Sequence, residues 1–146
     1  MQVGDFCVNI LDLRPAKPVV RTVEKAINEP TDLRFVSEEI LETLPVYTVL
    51  LTEDYHVAFA NRLFRTRFGE SKGRRCYEYL FHRTGPCENC ETYTVMKTKG
   101  PHHWEWLGPD CRNYDIYDFP FHDVDGSPLI LEVGLDITER KQAECA

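Results

Sequence analysis

What most restricts the fold of this chain is the order in which its strand-like and helix-like segments follow one another. Residues 46–51 (VYTVLL) and 56–59 (HVAF) are β-rich and are separated by a turn at Glu53-Asp54. Asn61 stands where it can cap a short helix containing Leu63, Phe64, Arg67 and Phe68, which Gly69 ends. Short helices and loops are expected over 73–99. Three more strands follow, at 103–107, 113–121 and 129–135, the last two joined by the turn signal Asp125-Gly126. Within 113–121, Tyr114, Ile116 and Asp118 alternate with Asp115, Tyr117 and Phe119. Two strands, short helices, then three strands give an α+β fold: one antiparallel sheet of about five strands flanked by short helices. A curved sheet facing short helices leaves one concave pocket, the usual seat of a small ligand.

Residues 1–35 read as an N-terminal helical extension. Pro15 and Pro18 interrupt the chain, and then Val19, Val20, Val23, Ala26 and Ile27 recur at helical spacing up to Asn28 and Pro30. A second helix is expected over 36–44. Ser37 is its N-cap, Glu38 and Glu39 suit the positive end of its dipole, and Val36, Ile40 and Leu44 share a face. Such stripes bury against a core, or they form a dimerising or signal-transmitting segment; the pattern fits both.

Charge and composition exclude several classes of function. A net charge of −7 is wrong for a nucleic-acid surface, which wants clustered Lys and Arg. No apolar run approaches the roughly 18 residues of a membrane span, and the N-terminus lacks a signal-peptide pattern, so a cytoplasmic domain is expected. Serine is confined to Ser37, Ser71 and Ser127, none of them in a nucleophile motif, and neither a Gly-rich phosphate loop nor a paired-carboxylate motif occurs. No catalytic residue is therefore expected.

Several short segments, in order, resemble the PAS family. Leu44-Pro45-Val46 followed by Ala60-Asn61-Arg62-Leu63-Phe64 is similar to its opening strand pair and first helix, and Gly73-Arg74-Arg75-Cys76-Tyr77-Glu78 to the entry into its central helices. Asp125-Gly126 and Asp136-Ile137-Thr138-Glu139-Arg140-Lys141 resemble its last hairpin and exit motif. The resemblance covers 36–142 and leaves 143–146 as the start of a C-terminal signalling helix. It implies a sensory or dimerisation module, a homodimer, and an attached output domain of histidine kinase or diguanylate cyclase type. It also makes Asp136 and Thr138 a hinge.

Six cysteines are many for a chain of 146 residues in a reducing compartment. Cys76, Cys87 and Cys90 fall within fifteen residues, the last two as C-x-x-C, and Cys111 arrives at the expected start of a strand. Folded together, Cys76, Cys87, Cys90 and Cys111 would supply four thiolates for zinc or for an iron–sulfur cluster. Thiol redox switching and plain burial of small apolar side chains fit the same residues. Without a histidine after Cys90, covalent haem fails; without asparagine and glutamine at the family's flavin-binding positions, flavin is not expected, and non-covalent haem would rest on His82 alone. For an organic ligand, Tyr77, Trp104 and Tyr114 would line the pocket and Arg112 would hold a carboxylate. Asp118, Asp123 and Asp125 gather near a turn and read as solvated turn residues.

Overall fold

The computed structural model describes residues 30–145, with side chains from residue 37 onward. The chain divides into two units between Ile40 and Leu41, and the fold described below is that of the second. The amphipathic helix expected over 19–28 lies outside the described residues, as does Cys7. Helix α1 spans Pro30–Thr43. It starts well before the expected 36–44, so Ser37 is an interior residue and not its N-cap. A proline suits a first helical position, where its missing N–H has no intrahelical partner to lose.

Strands β1 (Tyr47–Thr52) and β2 (Val57–Ala60) form a hairpin and are followed by helix α2 (Arg62–Phe68). Two short helices, α3 (Cys76–Phe81) and α4 (Thr94–Thr98), lead to β3 (His102–Leu107), β4 (Asn113–His122) and β5 (Pro128–Asp136). Helix α5 (Thr138–Glu144) follows directly on β5. The sheet order is β2-β1-β5-β4-β3, with every pairing antiparallel. The first and last strands in sequence thus lie side by side in the middle, and a perturbation of either central strand reaches both hairpins.

Asn61 explains how the opening hairpin is tied to α2. It is fully buried, and its Oδ1 accepts from Thr48 N (3.0 Å) and Phe64 N (3.1 Å). Its Nδ2 donates to the carbonyls of Leu41 and Val46, both at 2.9 Å. One amide thereby caps a helix and fixes a strand entry, and none of its polar atoms is left to pay a burial penalty.

The core packs one face of the sheet against α2 and α3. Tyr47 is its centre, with Phe64, Phe68 and Tyr114 around it at centroid separations of 5.2, 5.6 and 5.2 Å in edge-on geometry. Tyr47 crosses directly over Gly134, its register partner on β5. A Cβ on Gly134 would lie 2.1 Å from the Tyr47 ring, so only glycine admits this ring.

Candidate functional site

Between the inner sheet face and the α3–α4 segment lies a cavity of about 800 Å³. That is within the volume range of small-molecule sites, roughly 300–1,000 Å³. Val49, Leu51, Trp104 and Trp106 form the sheet wall, and Tyr77, Leu80 and Tyr93 face them from the helical side. Tyr55 closes one end in a left-handed backbone conformation (φ 72°). Its ring lies 4.1 Å from that of Tyr93 and its carbonyl accepts Cys76 N–H at 2.8 Å. Tyr93 is anchored in turn by its hydroxyl, which donates to Thr52 O at 2.9 Å.

One acid lines the cavity, Glu132, and a second, Asp118, is buried beside it. Glu132 of β5 and Asp118 of β4 are register partners, 8% and 0% exposed. Glu132 Oε1 accepts from Tyr47 OH and Oε2 from Thr92 Oγ1, each at 2.8 Å. Asp118 Oδ2 accepts from Trp104 Nε1 at 2.8 Å. Burial raises the pKa of both acids; Glu132 raises that of Asp118 further, whereas the hydrogen bonds from Thr92, Tyr47 and Asp118 offset part of the rise at Glu132. Asp118 is therefore no solvated turn residue; it sits well inside β4, on the same face as Tyr114 and Ile116.

Three of the four expected thiol ligands border this cavity. Cys76 opens α3, and Cys87 and Cys90 flank a tight turn closed by a 3.4 Å bond from Cys90 N to Cys87 O. Burial, reinforced by the neighbouring thiols and Glu132, pushes the Cys76 thiol up to about 12. Burial also raises Cys87 and Cys90. Cys111 does not join them. It lies in the exposed turn between β3 and β4 at φ 62°, two residues before the strand rather than in it. Among the described residues, no three His, Cys, Asp or Glu side chains are gathered as a metal site.

No family model matches the chain, and no curated protein matches it. Solved structures do. A domain of an HTR-like protein from Haloarcula marismortui matches at TM-score 0.54 and 17% identity, over 65% of this chain and 100% of that one. A sensory box sensor histidine kinase from Vibrio cholerae matches at TM-score 0.51 and 17% identity, covering 75% and 92% of the two chains. The PAS domain of an HTR-like protein from H. marismortui matches at TM-score 0.51 and 14% identity, covering 78% and 99%. The chain has the PAS fold.

On the PAS sheet, Tyr77 and Trp104 line the cavity as expected of ligand-contacting residues, but Tyr114 and Arg112 do not. They belong to a second cluster, where β5 passes into α5. Asp136 Oδ2 accepts from Arg67 (3.0 Å) and Arg112 (2.8 Å), and Oδ1 accepts from Thr138 N (2.9 Å) and Thr138 Oγ1 (2.6 Å). Arg67 also donates to Tyr114 OH, which donates to Asp110 at 2.5 Å. Partial burial alone would raise the pKa of Asp136, but the bonds from Thr138 and Arg112 and the charge of Arg67 outweigh it and hold it at about 2. Thr138 does not cap α5; Ile137 holds the cap position, and the Thr138 hydroxyl also accepts from Asn113 N at 3.0 Å. Asp136 thus ties the end of β5 to α2 and to the β3–β4 turn.

Sequence reasoning missed Glu132, the most buried charged group of the cavity wall. The signal was present: one acid in the middle of the apolar run LILEVGL has no place there unless something receives it.

Proposed function

We propose that this PAS domain is a sensory module that binds a small organic ligand in the cavity between sheet and helices. It relays occupancy through β5 to the Asp136 hub and an attached output domain, to which any catalysis belongs. The observation that carries this reading is the cavity of about 800 Å³ with aromatic walls and one buried acid. Tyr47 supports the relay: it touches Glu132 through its hydroxyl and Gly134 through its ring, two residues short of Asp136. A ligand that moves Glu132 biases Tyr47 and hence the end of β5, a population shift between two settings of the exit.

The test is native mass spectrometry of the protein after exposure to a metabolite extract. One retained small molecule per chain is expected, and alkylating Cys90 at the cavity wall with a bulky maleimide should prevent its uptake. Retention that ignores the maleimide, or no retained molecule at all, would sink the reading.

A second reading, dimerisation, is favoured by the outer sheet face. Tyr117, Phe119 and Leu135 are 39%, 38% and 42% exposed there, an apolar surface suited to a second copy of the chain. Light scattering settles it: a dimer that Phe119→Glu converts to monomer supports the reading, and a monomeric parent protein refutes it.

A further inference from the structure

Among the described residues, five charged side chains line the cavity, and only one of these is buried. Arg83, Glu88, Lys97 and Glu105 are exposed to solvent, whereas Glu132 is 8% exposed. A ligand that fills the cavity therefore meets one charged group out of reach of bulk water, and it is an acid.

The surroundings of that acid fix its charge. Glu132 receives two hydroxyl donors, from Tyr47 and Thr92. Asp118 receives one indole N–H at Oδ2, and its Oδ1 has no donor among the described residues, although the residue is fully buried. Two carboxyls paired across neighbouring strands at such depth do not both ionise. One proton on Asp118, given to Glu132, completes both valences and leaves the single negative charge on the better-donated partner, Glu132. The walls above it are π faces: Trp104 and Trp106 on the sheet, and Tyr93 on the helical side, its ring tilted by 35° to that of Tyr55 at the cavity's end. Such faces attract cations and accept flat rings.

Resting on the ligand-binding reading above, we infer that the cavity takes a flat aromatic ligand carrying a cationic or N–H-donating nitrogen, which Glu132 reads. The rings supply the apolar contact, and Glu132 supplies the choice of charge. A flat anion of the same size has the same rings to stack on but meets a buried negative charge, and it is rejected.

The experiment titrates the full chain with two tricyclic fluorescent probes, the cation proflavine and the anion anthracene carboxylate, following probe fluorescence and the quenching of Trp104 and Trp106. Proflavine should bind roughly tenfold more tightly or better, the worth of one charge-assisted hydrogen bond. Glu132→Gln keeps the shape and an acceptor for one of the two hydroxyls, the other turning to accept from the amide N–H, and should remove that preference; Asp118→Asn keeps an acid at the cavity wall and should preserve it. Equal binding of the two probes, or tighter binding of the anion, would overturn the inference and leave the cavity reading standing. No binding of either probe would overturn both. The comparison of probes on the parent protein needs no variant to fold.

Discussion

Glu132 and Asp136 lie four residues apart on the same face of β5, yet their surroundings treat a carboxylate in opposite ways. Glu132 sits beside another acid and neutral hydroxyls; Asp136 sits between two guanidiniums and a helix start. The first environment raises the pKa of the pair, and the second lowers that of Asp136. The difference teaches what each is suited to. A charge already satisfied by Arg67, Arg112 and Thr138 has nothing left to offer a ligand and works as a fastening. A charge held only by hydroxyls and a neighbouring acid keeps a large unspent electrostatic interaction, which a cation entering the cavity would supply.

The residue between them, Gly134, gives the most severe way to break this comparison. Gly134→Ala puts a methyl carbon where the Tyr47 ring already stands, 2.1 Å away. Tyr47 is fully buried and packed on three other rings, so it cannot simply turn aside. A loss of about 3 kcal/mol is expected in urea unfolding, the upper end for overpacked cores. Because Tyr47 also donates to Glu132, the variant should lose cavity and exit organisation together. A change below about 0.5 kcal/mol would mean that the two regions are not joined through Tyr47.

A smaller and local effect is expected at the fastening. Asp136→Ala strips the partner from Arg67 and Arg112 and the acceptor from Thr138 N. Since Asp136 is partly exposed, the cost should be about 2 kcal/mol rather than that of a fully buried ion pair. Hydrogen exchange should quicken in α5 and in the β3–β4 turn and stay unchanged around Glu132. The pH dependence follows from the lowered pKa. The native carboxylate contributes stability that is fully present above the ordinary carboxyl range and is lost as pH falls from there towards about 2. Asp136→Asn should flatten that acid limb, and an unchanged limb would show that the arginines do not hold the charge.

Much of this was legible before the fold was known, and what was not has a common cause. Alternation in NYDIYDFPF correctly set Asp118 with Tyr114 and Ile116, on what proved to be the inner face. Its proximity in sequence to Asp123 and Asp125 pointed the other way, and burial decided for the alternation. Asn61 was readable as a cap because capping is a local interaction, whereas its bonds to Leu41 and Val46 join segments that only the tertiary fold brings together. Tyr77 and Trp104 were placed on the cavity, but Arg112 and Tyr114 were drawn into the exit cluster by Asp136, Arg67 and Asp110, partners far apart in sequence. Cys111 differs from Cys76, Cys87 and Cys90 in the same way: its turn lies at the other end of β3 from the α4 side, a separation that spacing along the chain does not encode.

The subtlest effect belongs to the acid pair itself. An acid kept protonated in the fold holds a proton that the unfolded chain has already released. Stability must then fall as pH climbs above the ordinary carboxyl range, opposite in sign to the Asp136 limb. Asp118→Asn retains an acceptor for Trp104 N–H and a donor for Glu132, but it carries no titrating proton. The variant should match the parent protein near pH 4 and exceed it by about 1 kcal/mol in mildly alkaline solution, where the parent must either keep its proton or force two charges together. Parallel stability curves would mean that no proton is shared by the two acids. The charge read by a ligand would then have to come from two ionised acids or from none, and the contrast between the two ends of β5 would reduce to a difference in burial alone.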